Sequence, residues 1–133
     1  MRTLSFLVPL LALISVPGHA RAVDLSAPIA CGISDVFDCS ATGCIGVEAD
    51  AVGVPDLMRL DPDSKTLTAL DTELERAASM LESLSLENGK IAARTHDGDR
   101  TLVLVIDEKT GEAMLTVTDL HLALVAYGAC AKF

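Results

Sequence analysis

The chain has almost no aromatic side chains: no Trp, one Tyr (Tyr127) and three Phe in 133 residues. Its core must therefore be aliphatic, built from Leu, Val, Ile, Ala and Met. The same scarcity argues against a carbohydrate-binding face or a single-stranded nucleic-acid platform, both of which stack their ligand on exposed rings. Basic residues are also few, with 10 Lys and Arg against 19 Asp and Glu and a net charge of −9. So acidic a surface disfavours nucleic acid and anionic lipid as partners. It fits a solvated acidic domain, or one that meets a basic protein partner.

Catalytic signatures are missing too. There is no Gly-x-Ser-x-Gly nucleophile elbow, no His-Glu-x-x-His, and no glycine-rich phosphate loop following a strand. No Cys-x-x-Cys-His is present to attach haem, and no Cys-x-x-Cys opens a helix as a redox pair would. Beyond His19, the only histidines are His96 and His121, too few soft ligands beside the cysteines for a zinc site. No cofactor or metal is expected.

What the chain does have begins with an export signal. Arg2 supplies a positive start, Leu4 to Val16 an uncharged apolar run, Pro17 and Gly18 a break, and Ala20-Arg21-Ala22 a small-x-small cleavage rule. Residues 1–22 are read as a secretory signal peptide, and the run is too short to span a bilayer, which takes roughly 20 apolar residues. Removing 22 of 133 residues leaves 111, and losing Arg2 and Arg21 takes the charge from −9 to −11. One domain, 23–133, with no membrane span is expected. Its location would be the periplasm of a Gram-negative cell, or otherwise outside the cell.

Four cysteines remain after that cleavage: Cys31, Cys39, Cys44 and Cys130. An even number in a small exported domain reads as two structural disulfides. Three connectivities are open, of which Cys39–Cys44 with Cys31–Cys130 is preferred. If all four pair, Cys130 ties the last strand to the N-terminal segment, a loop whose closure stabilises by about 4 to 5 kcal/mol in chain-entropy terms.

The rest of the chain is organised around Arg100 to Val117. RTLVLVID, EKTG and EAMLTV form two apolar runs across a tight turn, a β-hairpin with Gly111 at its left-handed position. Both faces of the first run are apolar, so that strand is expected to be central and covered on both sides. Residues 23–54, rich in Gly, Ser, Asp and Ala, read as an irregular cysteine-bearing segment with a short strand near Ile45-Gly46-Val47. From 55 to 133 the chain reads as an antiparallel meander. Leu57–Leu60 and Thr66–Leu70 alternate around the turn Asp61-Pro62-Asp63-Ser64-Lys65, an echo of the main hairpin. Asn88-Gly89 marks a further hairpin, and Leu122–Tyr127 a last strand. Thr72-x-x-Glu75 has capping-box form before helically spaced apolar residues, which predicts a helix over 72–81, with a strand from Met80 as the alternative. The expected fold is therefore mainly β with one short helix: six or seven antiparallel strands in a curled sheet or small barrel, stapled by two disulfides.

The function this supports is a non-enzymatic exported domain that binds or assists an extracytoplasmic partner. An inhibitor of a basic enzyme is one form of it. The alternative is a hydrolytic or metal-dependent activity at the turn holding His96, Asp97 and Asp99, with Asp61 and Asp63 as further carboxylates. A third possibility, a carrier of a small apolar ligand, requires the meander to close around a cavity.

Overall fold

In the computed structural model, which describes residues 23–70 and 78–133, the chain forms nine strands. They are β1 (Ile29–Ser40), β2 (Gly43–Val47), β3 (Leu57–Asp61), β4 (Thr66–Ala69), β5 (Ser79–Glu87), β6 (Lys90–Asp97), β7 (Arg100–Asp107), β8 (Glu112–Thr118) and β9 (Ala123–Lys132). Every pairing is antiparallel. β3 to β9 follow one another as a meander, and β1 joins β3 on one side and β9 on the other. Eight strands thus close a barrel, and β2 stands outside the ring on the far half of β1.

Local turn chemistry sets most of this order. At Asn88-Gly89 both residues take positive φ (51° and 73°), the backbone hand that lets two strands return without splaying. The echo between the other two hairpins has a shared cause. Asp61 Oδ1 accepts from the amides of Asp63 and Ser64 (3.1 and 3.2 Å), and Asp107 Oδ1 from those of Lys109 and Thr110 (2.9 and 3.0 Å). Each turn then ends in a left-handed residue, Lys65 (φ 53°) or Gly111 (φ 74°). A carboxylate that mimics a backbone acceptor builds the same turn twice. Gly111 has a further reason to lack a Cβ, because one would meet the Cys130 carbonyl at 2.4 Å.

The barrel interior is aliphatic. Ile29, Met58, Leu60, Ile91, Leu104, Ile106, Leu115 and Leu124 are fully buried, and no ring is among the buried residues. Each such side chain stabilises the fold by about 1.5–3 kcal/mol relative to exposure. Val23, buried at the barrel end, donates its amide to the Glu108 carbonyl (2.8 Å). Thr95 is the buried polar residue, and its hydroxyl donates to the Met80 carbonyl (2.7 Å), tying β6 to the start of β5.

Both disulfides are cross-strand. Cys31–Cys130 joins β1 to β9 at the closing seam, and Cys39–Cys44 spans the β1–β2 hairpin. No cysteine is free, which is compatible with a periplasmic or extracellular location.

Three expectations need correction. Residues 23–54 are not irregular: they carry β1, the longest strand, whose alternation is masked in the sequence by a bulge between Ile33 and Asp35. The meander over 55–133 has seven strands, β3 to β9, as the six or seven expected, and the N-terminal segment adds β1 and β2. The helix expected over 72–81 falls largely on 71–77, outside the described residues, while Ser79–Leu81 open strand β5; among the described residues the one helical turn is the 3-10 turn Asp50–Val52. Finally, β7 is not covered on both faces. Leu104 and Ile106 fill the barrel, but Val103 and Val105 lie half-buried on its outer wall.

Candidate functional site

Topology decides first which of the sequence candidates can meet. The β6–β7 turn with Asp99, the β2–β3 loop and the β8–β9 loop lie at one end of the barrel. The β3–β4 turn, the β7–β8 turn and both ends of the described chain lie at the other. Asp61 and Asp63 are therefore at the opposite end from His96, Asp97 and Asp99. The five do not form one site.

His96 lies in strand β6, opposite Thr101, and not in the turn the sequence suggests. Its Nε2 is 2.9 Å from Glu82 Oε1, its Nδ1 is 3.1 Å from the Thr101 hydroxyl, and Arg94 Nε approaches the same carboxylate at 3.5 Å. This polar line is the nearest thing to a catalytic relay. It lies on the convex wall, where the β6 and β7 amides are used in ladders and not free to hold an oxyanion, while Glu82 sits at a bulge of β5 beyond its short pairing with β4. Asp97 alternates to the opposite face of β6. With Arg100 it rims a cavity of about 50 Å³ lined by Val54, Met58, Leu102 and Val117. Sites for drug-sized ligands are roughly 300–1,000 Å³, so this cavity holds no lipid-like molecule. His121 is exposed in the β8–β9 loop, where its amide donates to Asp119 Oδ1 (2.6 Å).

At the far end three carboxylates are each held by their own local partners. The Lys90 ammonium, then the Thr110 and Lys109 amides, hold the Asp107 carboxyl well below its ordinary range. The Ser64 amide, with those of Asp63 and the Arg59 charge, lowers Asp61. Lys132 at 2.7 Å, with help from Ser26, lowers Asp24 to about 2. All three stay ionised and spoken for. Among the described residues no group of three or more His, Cys, Asp and Glu is placed to hold a metal ion, and no helix is long and apolar enough to cross a membrane.

The surface that stands apart is the arm formed by the far half of β1 and by β2. Between Val23 and Met58 the chain has six acidic residues and no Lys, Arg or His. Asp24 lies at the far end against Lys132, and Asp35, Asp38, Glu48, Asp50 and Asp56 belong to the arm and the loop behind it. The ion-pairing bases named above, and Arg59 with its 3.4 Å contact to Asp61, all lie outside 33–56. Where β1 leaves β3 to pair with β2, a groove of about 430 Å³ opens. Val36, Phe37 and Val47 form its walls, and Asp35, Glu48 and Asp56 stand on its rim. The Ser34 hydroxyl, at the bulge, donates to Asp35 (2.8 Å).

The few rings of the described chain are displayed, not buried. Phe37 and Tyr127 make an edge-to-face pair with centroids 6.1 Å apart at the root of the arm, and Phe133 lies under the Arg59 guanidinium at 5.0 Å. On the arm itself Ile45 is 68% exposed. Sequence reasoning pointed to the Cys31–Cys44 segment but could not shape this surface, because it read 23–54 as an irregular, disulfide-tied stretch. The signal was present as a run of 36 residues without a base. The chain matches no protein-family model, and no curated protein and no solved structure is significantly similar to it.

Proposed function

We propose that this protein is an exported, non-enzymatic binding domain whose arm engages a basic extracytoplasmic protein. One observation carries the reading: on a stretch of chain with five carboxylates and no positive charge, the arm shows the Phe37–Tyr127 pair on one face beside Asp35 and an exposed Ile45 on the other beside Asp38. Exposed apolar groups supply the contact area of a protein interface. Surrounding charge of one sign steers a partner of the other sign and rejects like-charged ones. An inhibitor of a basic enzyme is one partner relation of this kind. The signal-like residues 1–22, with cleavage after Ala22, would deliver the domain to a compartment where its two disulfides form.

The test is site-specific photo-crosslinking in the native envelope from position 37, with position 63 at the far end as control. Crosslinks to a protein of basic pI from position 37 alone, lost when Asp35→Asn and Glu48→Gln are introduced together, are the expected result. Crosslinking that is equal from both positions, or indifferent to the neutralised pair, would overturn the reading.

A further inference from the structure

We infer that the open edge of β2 is a strand-addition site, and that its occupant is an extended segment of a partner protein carrying Lys or Arg. The inference rests on the binding reading above and specifies how the partner is held. Among the described residues β2 pairs with β1 alone, in unbroken register from Val36–Val47 to Ser40–Gly43. The Cα atoms of Cys39 and Cys44 are 4.0 Å apart, the close spacing of a non-hydrogen-bonded antiparallel pair. The N–H and C=O of Cys44 therefore point away from β1. By the alternation of the ladder, so do those of Gly46, two residues on. Gly43, Ile45 and Val47 bond to β1, which leaves Cys44 and Gly46 to present two donors and two acceptors along the free edge.

Natural edge strands are usually blunted by Pro, by Lys, or by a bulge. β2, Gly-Cys-Ile-Gly-Val, has none of these. Nothing stands within 4 Å of where a Cβ would sit on Gly43 or Gly46, so a second backbone can approach closely. The Cys39–Cys44 bond and the pairing of Phe37 and Asp38 with Val125 and Leu124 hold the arm fixed before a partner arrives, which lowers the ordering cost of binding.

Charge selects the occupant. Asp38 stands opposite Ile45 and Glu48 follows Val47. The stretch that carries the arm has carboxylates and no base, so a second copy of β2 would bring only like charge to the edge, whereas Lys or Arg side chains on an added strand would meet charge of the opposite sign. The edge thus has its protection against self-pairing in the flanking acids, and that protection does not act against a basic strand.

The test uses the oxidised protein and short synthetic peptides alternating Lys and Val. One version is plain, one is N-methylated on alternate amides, and one has Asp in place of Lys. The plain Lys/Val peptide is expected to bind and to slow amide exchange at Cys44 and Gly46. Gly46→Pro removes an outward N–H without touching the β1–β2 bonds and should weaken binding about tenfold. N-methylation should do the same with no change to the protein, so a misfolded variant cannot mimic the result, and the Asp peptide should not bind. If Gly46→Pro and N-methylation leave Lys/Val binding intact while Asp35→Asn/Glu48→Gln abolishes it, strand addition is wrong and the basic-partner reading stands. If the Lys/Val and Asp peptides bind equally, or neither binds, both fail. Concentration-dependent dimerisation abolished by Gly46→Pro would make a second copy the occupant and overturn the inference.

Discussion

Two glycines on either side of the barrel's closing seam, Gly32 on β1 and Gly128 on β9, should respond oppositely to the same methyl group. Gly128 on β9 lies against the bulge of β1, and a Cβ on it would sit 2.0 Å from the Gly32 carbonyl oxygen and 3.0 Å from its carbon. Real Cβ contacts essentially never fall below 3.0 Å, so one backbone must move by at least the 1.0 Å difference. The obstacle is main chain in a paired strand, one residue from Cys31, and cannot rotate aside as a side chain would. Overpacking typically costs about 1–3 kcal/mol and more where backbone must shift. Gly128→Ala is therefore expected to cost about 3 kcal/mol, a drop of roughly 10–20 °C in Tm for a domain of this size. Gly32→Ala has nothing within 4 Å of the new atom. It should be neutral or slightly stabilising, within about 1 kcal/mol, because Ala restricts the unfolded chain. Urea unfolding of both variants with disulfides intact decides the matter. Equal stability of the two, or a Gly128→Ala protein within 1 kcal/mol of the parent, would refute the close approach on which barrel closure depends.

The two disulfides should be unequal. Replacing Cys31 and Cys130 by Ala releases a cross-link spanning 99 residues and should cost up to about 4 to 5 kcal/mol, whereas replacing Cys39 and Cys44, five residues apart, should cost about 2; the reverse order in denaturant midpoints would refute this. Acid should loosen the far end of the barrel first. Asp24, Asp61 and Asp107 all have folded pKa values below the ordinary 3.8. Their stabilisation is thus complete above about pH 5 and is lost as pH falls through 4 toward 2 and below. Lys132→Met should raise the Asp24 midpoint from about 2 toward 3.8 in a carboxyl NMR titration, and an unmoved midpoint would count against the pairing.

How much of this was legible beforehand varies by element. The hairpins at Asn88-Gly89 and at Asp107–Gly111, and the strands flanking Asp61–Lys65, could be read directly, because their turns are fixed by residues adjacent in sequence. The disulfide preference agreed with the structure because Cys39 and Cys44 flank a hairpin turn and Cys130 had to reach the N-terminal segment. The sequence could not sort the candidate carboxylates, because Asp-x-Asp at a turn looks the same whether it serves a ligand or caps its own backbone. Asp61 does the latter.

The sequence alone determined an aliphatic, antiparallel β domain with acidic charge and hairpins at stated turns, since each of those properties is local or compositional. Only the tertiary structure decided the rest. It paired β1 with β9, bringing Cys31 and Cys130 together across 99 residues. It sent Asp61 and His96 to opposite ends. It made Val103 and Val105 outer wall while Leu104 and Ile106 became core. And it left β2 outside the ring with one edge unpaired. These outcomes depend on register and closure between distant strands, and residues such as Val and Leu read alike from the sequence on either side of a barrel wall.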